Sequence, residues 1–223
     1  MKHNPSNPNE DLQAIRKIME RSSRFLSLSG LSGIYAGVCA LAGAALAWLL
    51  ILDRGEIQFG SIMSDPAISL TSGIGLQFAL ASLLVLTAAI PGALYFSYRK
   101  ARMAGEKTWS RTTNRLIMQI LIPLVSGAVF ILILAFRNNL ELAASAMLIF
   151  YGLSLVNAAK FTFSEIHHLG LIEIGLGILA GIFISCGLLF WTLGFGLMHI
   201  VYGTMMYYRH ERRQPDRYHQ STH

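Results

Sequence analysis

Glu173 and His199 stand out because each interrupts a stretch that is otherwise apolar, within the segment from Leu169 to Tyr208. Placing Asp, Lys or Arg at the centre of a membrane span costs about 2.5–3.5 kcal/mol on insertion scales, so ionisable groups in spans face protein or a wet cavity and mark candidate sites. A carboxyl and an imidazole can each hold and pass a proton, which makes proton exchange the chemistry open to this pair. Glu173 precedes Gly177 and Gly181 by four and eight residues, so all three share a helix face that a neighbour can approach closely. The spacing of Gly196, His199 and Gly203 likewise predicts one stripe, with the imidazole turned toward protein. Tyr202, Tyr151, Asn157 and Gln119 lie at neighbouring expected depths and are candidates to complete a polar network.

Three roles fit these residues. In a structural role, Glu173 and His199 are satisfied interior groups that fix helix register. In a transport role they exchange protons and gate a proton or a small solute. In a cofactor role His199 is an axial haem ligand, or His167 and His168 join Glu165 and Glu173 around a metal. Two-histidine haem ligation needs a second imidazole at the depth of His199, and His167 and His168 fall at the membrane edge. The sequence contains no HExxH, GxSxG or CxxC spacing, so the expectation is a non-enzymatic protein with no resident cofactor.

The elements that position these groups are hydrophobic. The 223 residues are 53% hydrophobic and 13% charged, about half the charged share of an average soluble domain. Six apolar runs are each long enough to cross a hydrocarbon core of about 30 Å. They begin near Leu31, Gly73, Leu116, Leu140, Leu169 and Trp191. The predicted fold is therefore all-α, a polytopic bundle of six transmembrane helices. Residues 1–9 read as a disordered tail, 10–28 as an amphipathic helix, 29–208 as the membrane domain and 209–223 as a charged tail. Counted from the cytoplasmic ends of these runs, Glu173 lies about one turn deep and His199 about nine residues deep, a separation of about 6 Å that leaves their contact open.

Charge sets the expected orientation. With six alternating spans, sixteen of the eighteen Lys and Arg fall on one side, leaving only Arg54 and Arg137 on the other. The positive-inside rule then puts both termini in the cytoplasm, and the chain reads as a multi-pass protein of an inner membrane. The net charge of +6 does not point to nucleic acid, because the basic residues sit between hydrophobic runs. They fit anionic lipid or a cytoplasmic protein partner at the basic face, with a second copy of the chain as a further candidate. Cys39 and Cys186 fall at different depths and are not expected to pair.

Glycine spacing suggests three hairpins of common design. Ile90-Pro-Gly92, Phe150-Tyr-Gly152 and Val201-Tyr-Gly203 close the even-numbered spans, and Gly33, Gly37 and Gly43 repeat the spacing of Gly177, Gly181 and Gly187. The stretches from Leu148 to Phe161 (LIFYGLSLVNAAKF) and from Leu169 to Gly181 (LGLIEIGLGILAG) resemble the hairpins of HdeD-type acid-resistance membrane proteins. That resemblance implies a small six-span bacterial inner-membrane protein with a stress-related role. It brings no catalytic residue with it.

Overall fold

The computed structural model describes residues 29–52, 73–103 and 111–212, and among these there are helices and short connections but no strand. Residues 1–28, 53–72, 104–110 and 213–223, which include the expected tail and amphipathic helix and most of the expected charged tail, lie outside the described residues. Helices α1 (Gly30–Leu52), α2 (Gly73–Met103) and α3 (Arg111–Phe136) come first. Helix α4 (Ala143–Ala158) is flanked by 3₁₀ turns at Leu140–Leu142 and Ala159–Phe161, and α5 spans Ser164–Ile182. The last helix, α6, runs over 187–211. It is α-helical at Gly187–Trp191 and His199–Met206 and π-helical at Thr192–Met198 and Tyr207–Glu211. Among the described residues six helices are long and apolar enough to cross a membrane. The chain is an all-helical membrane bundle.

Helix α1 packs on α2 and α6, α6 on α5 and α4, and α4 on α5 and α3. Helices α2 and α3 therefore flank a centre made of α1, α4, α5 and α6. Leu80, Leu83, Leu84 and Leu94 of α2 are each more than half exposed. A contiguous apolar surface of this kind fits lipid tails, whereas a soluble monomer rarely presents one.

The central seams close backbone to backbone. A Cβ on Gly152 of α4 would lie 2.6 Å from the Gly170 carbonyl of α5, and one on Gly170 would lie 2.8 Å from the Gly152 carbonyl. Gly203 of α6 faces the α1 backbone at Gly30, Gly33 and Ile34 in the same way, while Gly92 of α2 takes the ring of Tyr35. Without side chains at these points the helices approach closely enough to gain dispersion contacts, the main attraction left when the solvent is itself apolar. Each glycine of the repeated Ile-Pro-Gly or aromatic-Gly motif thus sits where α1 or α5 comes near. The first contact is within a hairpin and the other two are between hairpins.

Two turns are worth contrasting. Between α3 and α4, Asn138 adopts φ 56°, and the Asn139 N–H reaches the Leu134 carbonyl at 2.9 Å. This is the left-handed helix stop that Asn tolerates better than most residues. Between α5 and α6 the chain reverses at Phe183 and the 3₁₀ turn Ile184–Cys186, with Cys186 N–H bonded to the Phe183 carbonyl at 2.9 Å. Hydropathy places this turn near Phe190 and the start of α5 near Leu169, whereas α5 begins at Ser164. Ile178–Trp191 holds no charged residue and no proline, and only Gly181, Ser185 and Gly187 interrupt the apolar run, so hydropathy alone does not register the reversal. Helix α3 likewise begins at Arg111, ahead of the Leu116 at which its apolar run starts, and α2 carries Arg99, Lys100 and Arg102 on to Met103.

Candidate functional site

The corrected boundaries bring Glu173 and His199 together. With α5 starting at Ser164, Glu173 is nine residues in, and with α6 running to Glu211, His199 is twelve residues from the end. At 1.5 Å per residue these depths are roughly 14 and 18 Å. Glu173 Oε1 lies 3.4 Å from His199 Nδ1.

Glu173 occupies the junction of α4, α5 and α6 and is one of the most deeply buried side chains, with 0% exposure. Its carboxylate fits beside Gly194 of α6 because that residue has no Cβ. A methyl there would collide with Glu173 Oε2 and come within 2.6 Å of Leu148 Cδ2. Among the described residues neither carboxylate oxygen accepts a hydrogen bond. The contact with Nδ1 is an ion-pair distance without hydrogen-bond alignment, because the ring N–H is directed elsewhere.

That direction is fixed by the π-helical turn. His199 Nδ1 is 3.0 Å from the carbonyl of Gly194, five residues earlier. A carbonyl only accepts, so Nδ1 carries the hydrogen, a tautomer assigned from its partner. On the other side Nε2 lies 2.7 Å from the Tyr151 hydroxyl of α4, which donates to it when the ring is neutral. Aromatic rings frame the imidazole: Phe195 stacks on it at 5.9 Å, Tyr151 lies 5.3 Å away, and Trp191 packs on Phe195 at 5.2 Å. The arrangement can relay a proton. Protonation at Nε2, with the Tyr151 hydroxyl turned from donor to acceptor, gives an imidazolium, and once the ring swings its Nδ1–H from the Gly194 carbonyl to Glu173 Oε1 that proton can pass to the carboxylate, leaving a carboxylic acid and the other imidazole tautomer.

Of the remaining network candidates, only Tyr151 reaches the pair. Gln119, Asn157 and Tyr202 are half-buried and share no hydrogen bond with it among the described residues. The stripe expected of Gly196, His199 and Gly203 divides. The two glycines face α1 at Leu41 and Ile34, while the imidazole faces α4 and α5. The π-helical turn between Gly194 and His199 changes the helical phase that regular 3.6-residue spacing assumes. The packing glycines Gly33, Gly37, Gly177 and Gly181 all lie in close interhelix contact, with Gly203, Ile200, Ile149 and Ser145 respectively.

The metal and haem roles lose their ligand sets. Among the described residues no group of three or more His, Cys, Asp or Glu could hold a metal. His167 and His168 are exposed, and both ring nitrogens of His199 already have partners. Cys39 and Cys186 are free.

Glu165 belongs instead to a second polar cluster, at the charged end of the bundle, whose members are far apart in the sequence. Its carboxylate takes Arg209 Nη1 at 2.7 Å and His210 Nε2 at 3.3 Å, and the His210 ring stacks on Phe163 at 4.2 Å. Next to them Glu211 accepts from the Gly30 N–H at 2.6 Å and pairs with Lys100 at 3.3 Å. A carboxylate at the first turn of α1 complements the helix dipole and an otherwise orphaned N–H. In the sequence, Arg209 to Glu211 read as the start of a tail. The available signal was an acidic residue embedded in a basic run, and Gly194, the other residue missed, had only its place in a Gly-x-Gly pair.

Comparison with known protein families, curated proteins and solved structures finds no match. The glycine spacing behind the resemblance to HdeD-type proteins serves helix packing here, at Gly152, Gly170 and Gly177.

Proposed function

We propose that this multi-pass membrane protein is a non-enzymatic, proton-linked transporter or channel for a small solute, in which Glu173 and His199 take up and release the proton. One observation carries the reading: a fully buried carboxylate whose two oxygens have no hydrogen-bond donor, 3.4 Å from an imidazole. A polar group kept for structure alone is normally satisfied, because leaving a buried acceptor bare costs about 1–3 kcal/mol, more if it is charged. A carboxyl that must alternate between protonated and ionised states cannot be fully satisfied in both. The charge asymmetry supports both termini lying in the cytoplasm, and the resemblance of stretches of α4 and α5 to HdeD-type proteins supports a bacterial inner membrane.

The second reading is a structural, stress-related or regulatory membrane component, favoured by His199 being held on both nitrogens. Proton flux into proteoliposomes under an imposed pH step separates the two. Wild-type protein is expected to conduct above protein-free vesicles, and Glu173→Gln, with nearly the same shape, to lose at least tenfold of that flux at matched incorporation. Wild-type vesicles as tight as empty ones, with and without a panel of small solutes on the outside, would favour the structural reading.

A further inference from the structure

At the charged end of the bundle α1, α2 and α6 enclose a cleft of about 270 Å³. Its apolar lining includes Leu31, Phe96 and Met103, and its charged lining is Arg99, Lys100 and Glu211. The charges are unequal in what they have left to offer. Glu211 is held by the Gly30 N–H and by Lys100. Arg99 is exposed and makes no ion pair among the described residues, and Arg102 stands exposed in the same final stretch of α2. Phe96 lies one turn from Arg99 along α2 toward the membrane interior, so the cleft offers an apolar surface on the membrane side of its cations, with Met103 one turn outward.

We propose that this cleft binds the phosphate-bearing headgroup of an anionic phospholipid, with Arg99 as the principal cation and the acyl chains laid against Phe96 and Leu31. Basic pockets between transmembrane helices recognise such headgroups, and each Lys or Arg near an anionic surface strengthens binding about fivefold. A free phosphate would use the cation but not the apolar lining. This inference is independent of proton exchange at Glu173. The ligand would touch α1, α2 and α6 together, at the point where Glu211 already joins them.

The test is a lipid titration of the full-length protein in detergent, read as the thermal unfolding midpoint in mixed micelles carrying phosphatidylglycerol or phosphatidylcholine at equal mole fraction. Phosphatidylglycerol is expected to raise the midpoint and phosphatidylcholine not. Arg99→Gln should weaken the apparent phosphatidylglycerol affinity about fivefold. Arg137→Gln, which removes one positive charge at an exposed turn between α3 and α4, should leave it unchanged. Equal response to the two lipids, equal effects of the two substitutions, or displacement by millimolar inorganic phosphate would each overturn the proposal.

Discussion

Gly194 serves the buried pair in two ways. Its carbonyl holds His199 Nδ1 at 3.0 Å, and its missing side chain makes room for the Glu173 carboxylate and Leu148. Gly194→Ala is therefore expected to destabilise the protein by about 1–3 kcal/mol, the usual cost of overpacking, and to lower any Glu173-dependent proton flux. Denaturant unfolding in detergent and the proteoliposome assay check the two parts separately; unchanged stability would show that Leu148 and the carboxylate can yield. Glu173 and His199 were legible as candidates because an ionisable residue in an apolar run is conspicuous whatever the fold. Their contact was not legible, since it depends on a turn at Phe183 that carries no strong breaker and on a π-helical turn that shifts His199 away from the stripe of Gly196 and Gly203.

Between elements, close approach depends on which glycines face a neighbour, and two glycines show the difference. A Cβ on Gly203 would lie 2.6 Å from Ile34 N and 2.8 Å from Gly30 O, atoms of the α1 backbone that no rotamer change can move. Around Gly175 on α5 there is nothing within 4 Å of the corresponding position. Gly203→Ala should accordingly destabilise by about 1–3 kcal/mol, whereas Gly175→Ala should be neutral or stabilising by up to about 1 kcal/mol through helix propensity. Thermal unfolding of the two variants measures this, and equal behaviour would show that the α1–α6 seam has slack. The sequence could mark the glycines as packing residues from their spacing. It could not say which helix each one meets, because spacing defines a face and not the partner opposite it.

Across the whole molecule, two polar clusters share α5 and α6 but are kept apart. Glu165, Arg209 and His210 lie at the charged end and Glu173 and His199 deeper; Met206 falls between His199 and Arg209 along α6, and it packs with Ile166 and with Phe163, the ring on which His210 stacks, in an apolar layer backed by Leu155 and Ala159. The charged end was foreseeable from the uneven distribution of Lys and Arg, and the deeper pair from hydropathy, but the layer only exists once α5 and α6 are docked. Its chemistry bears directly on proton exchange. A proton moving between Glu173 and the charged end past Met206 and Ile166 meets side chains that can neither donate nor accept, so on that route water has to enter or the layer has to part. Met206 is 4% exposed and two helical turns from His199, which makes it the side chain whose loss would most directly open that route. Met206→Ala is expected to cost about 2–5 kcal/mol in stability and, at matched incorporation of folded protein, to raise proton flux above wild type. Met206→Leu, which keeps the layer closed, should do neither to a comparable degree. Combining Met206→Ala with Glu173→Gln then tests the order of events: flux that remains high in the double variant would mean water crosses the bundle without using the carboxylate, and flux that disappears would place Glu173 on the path.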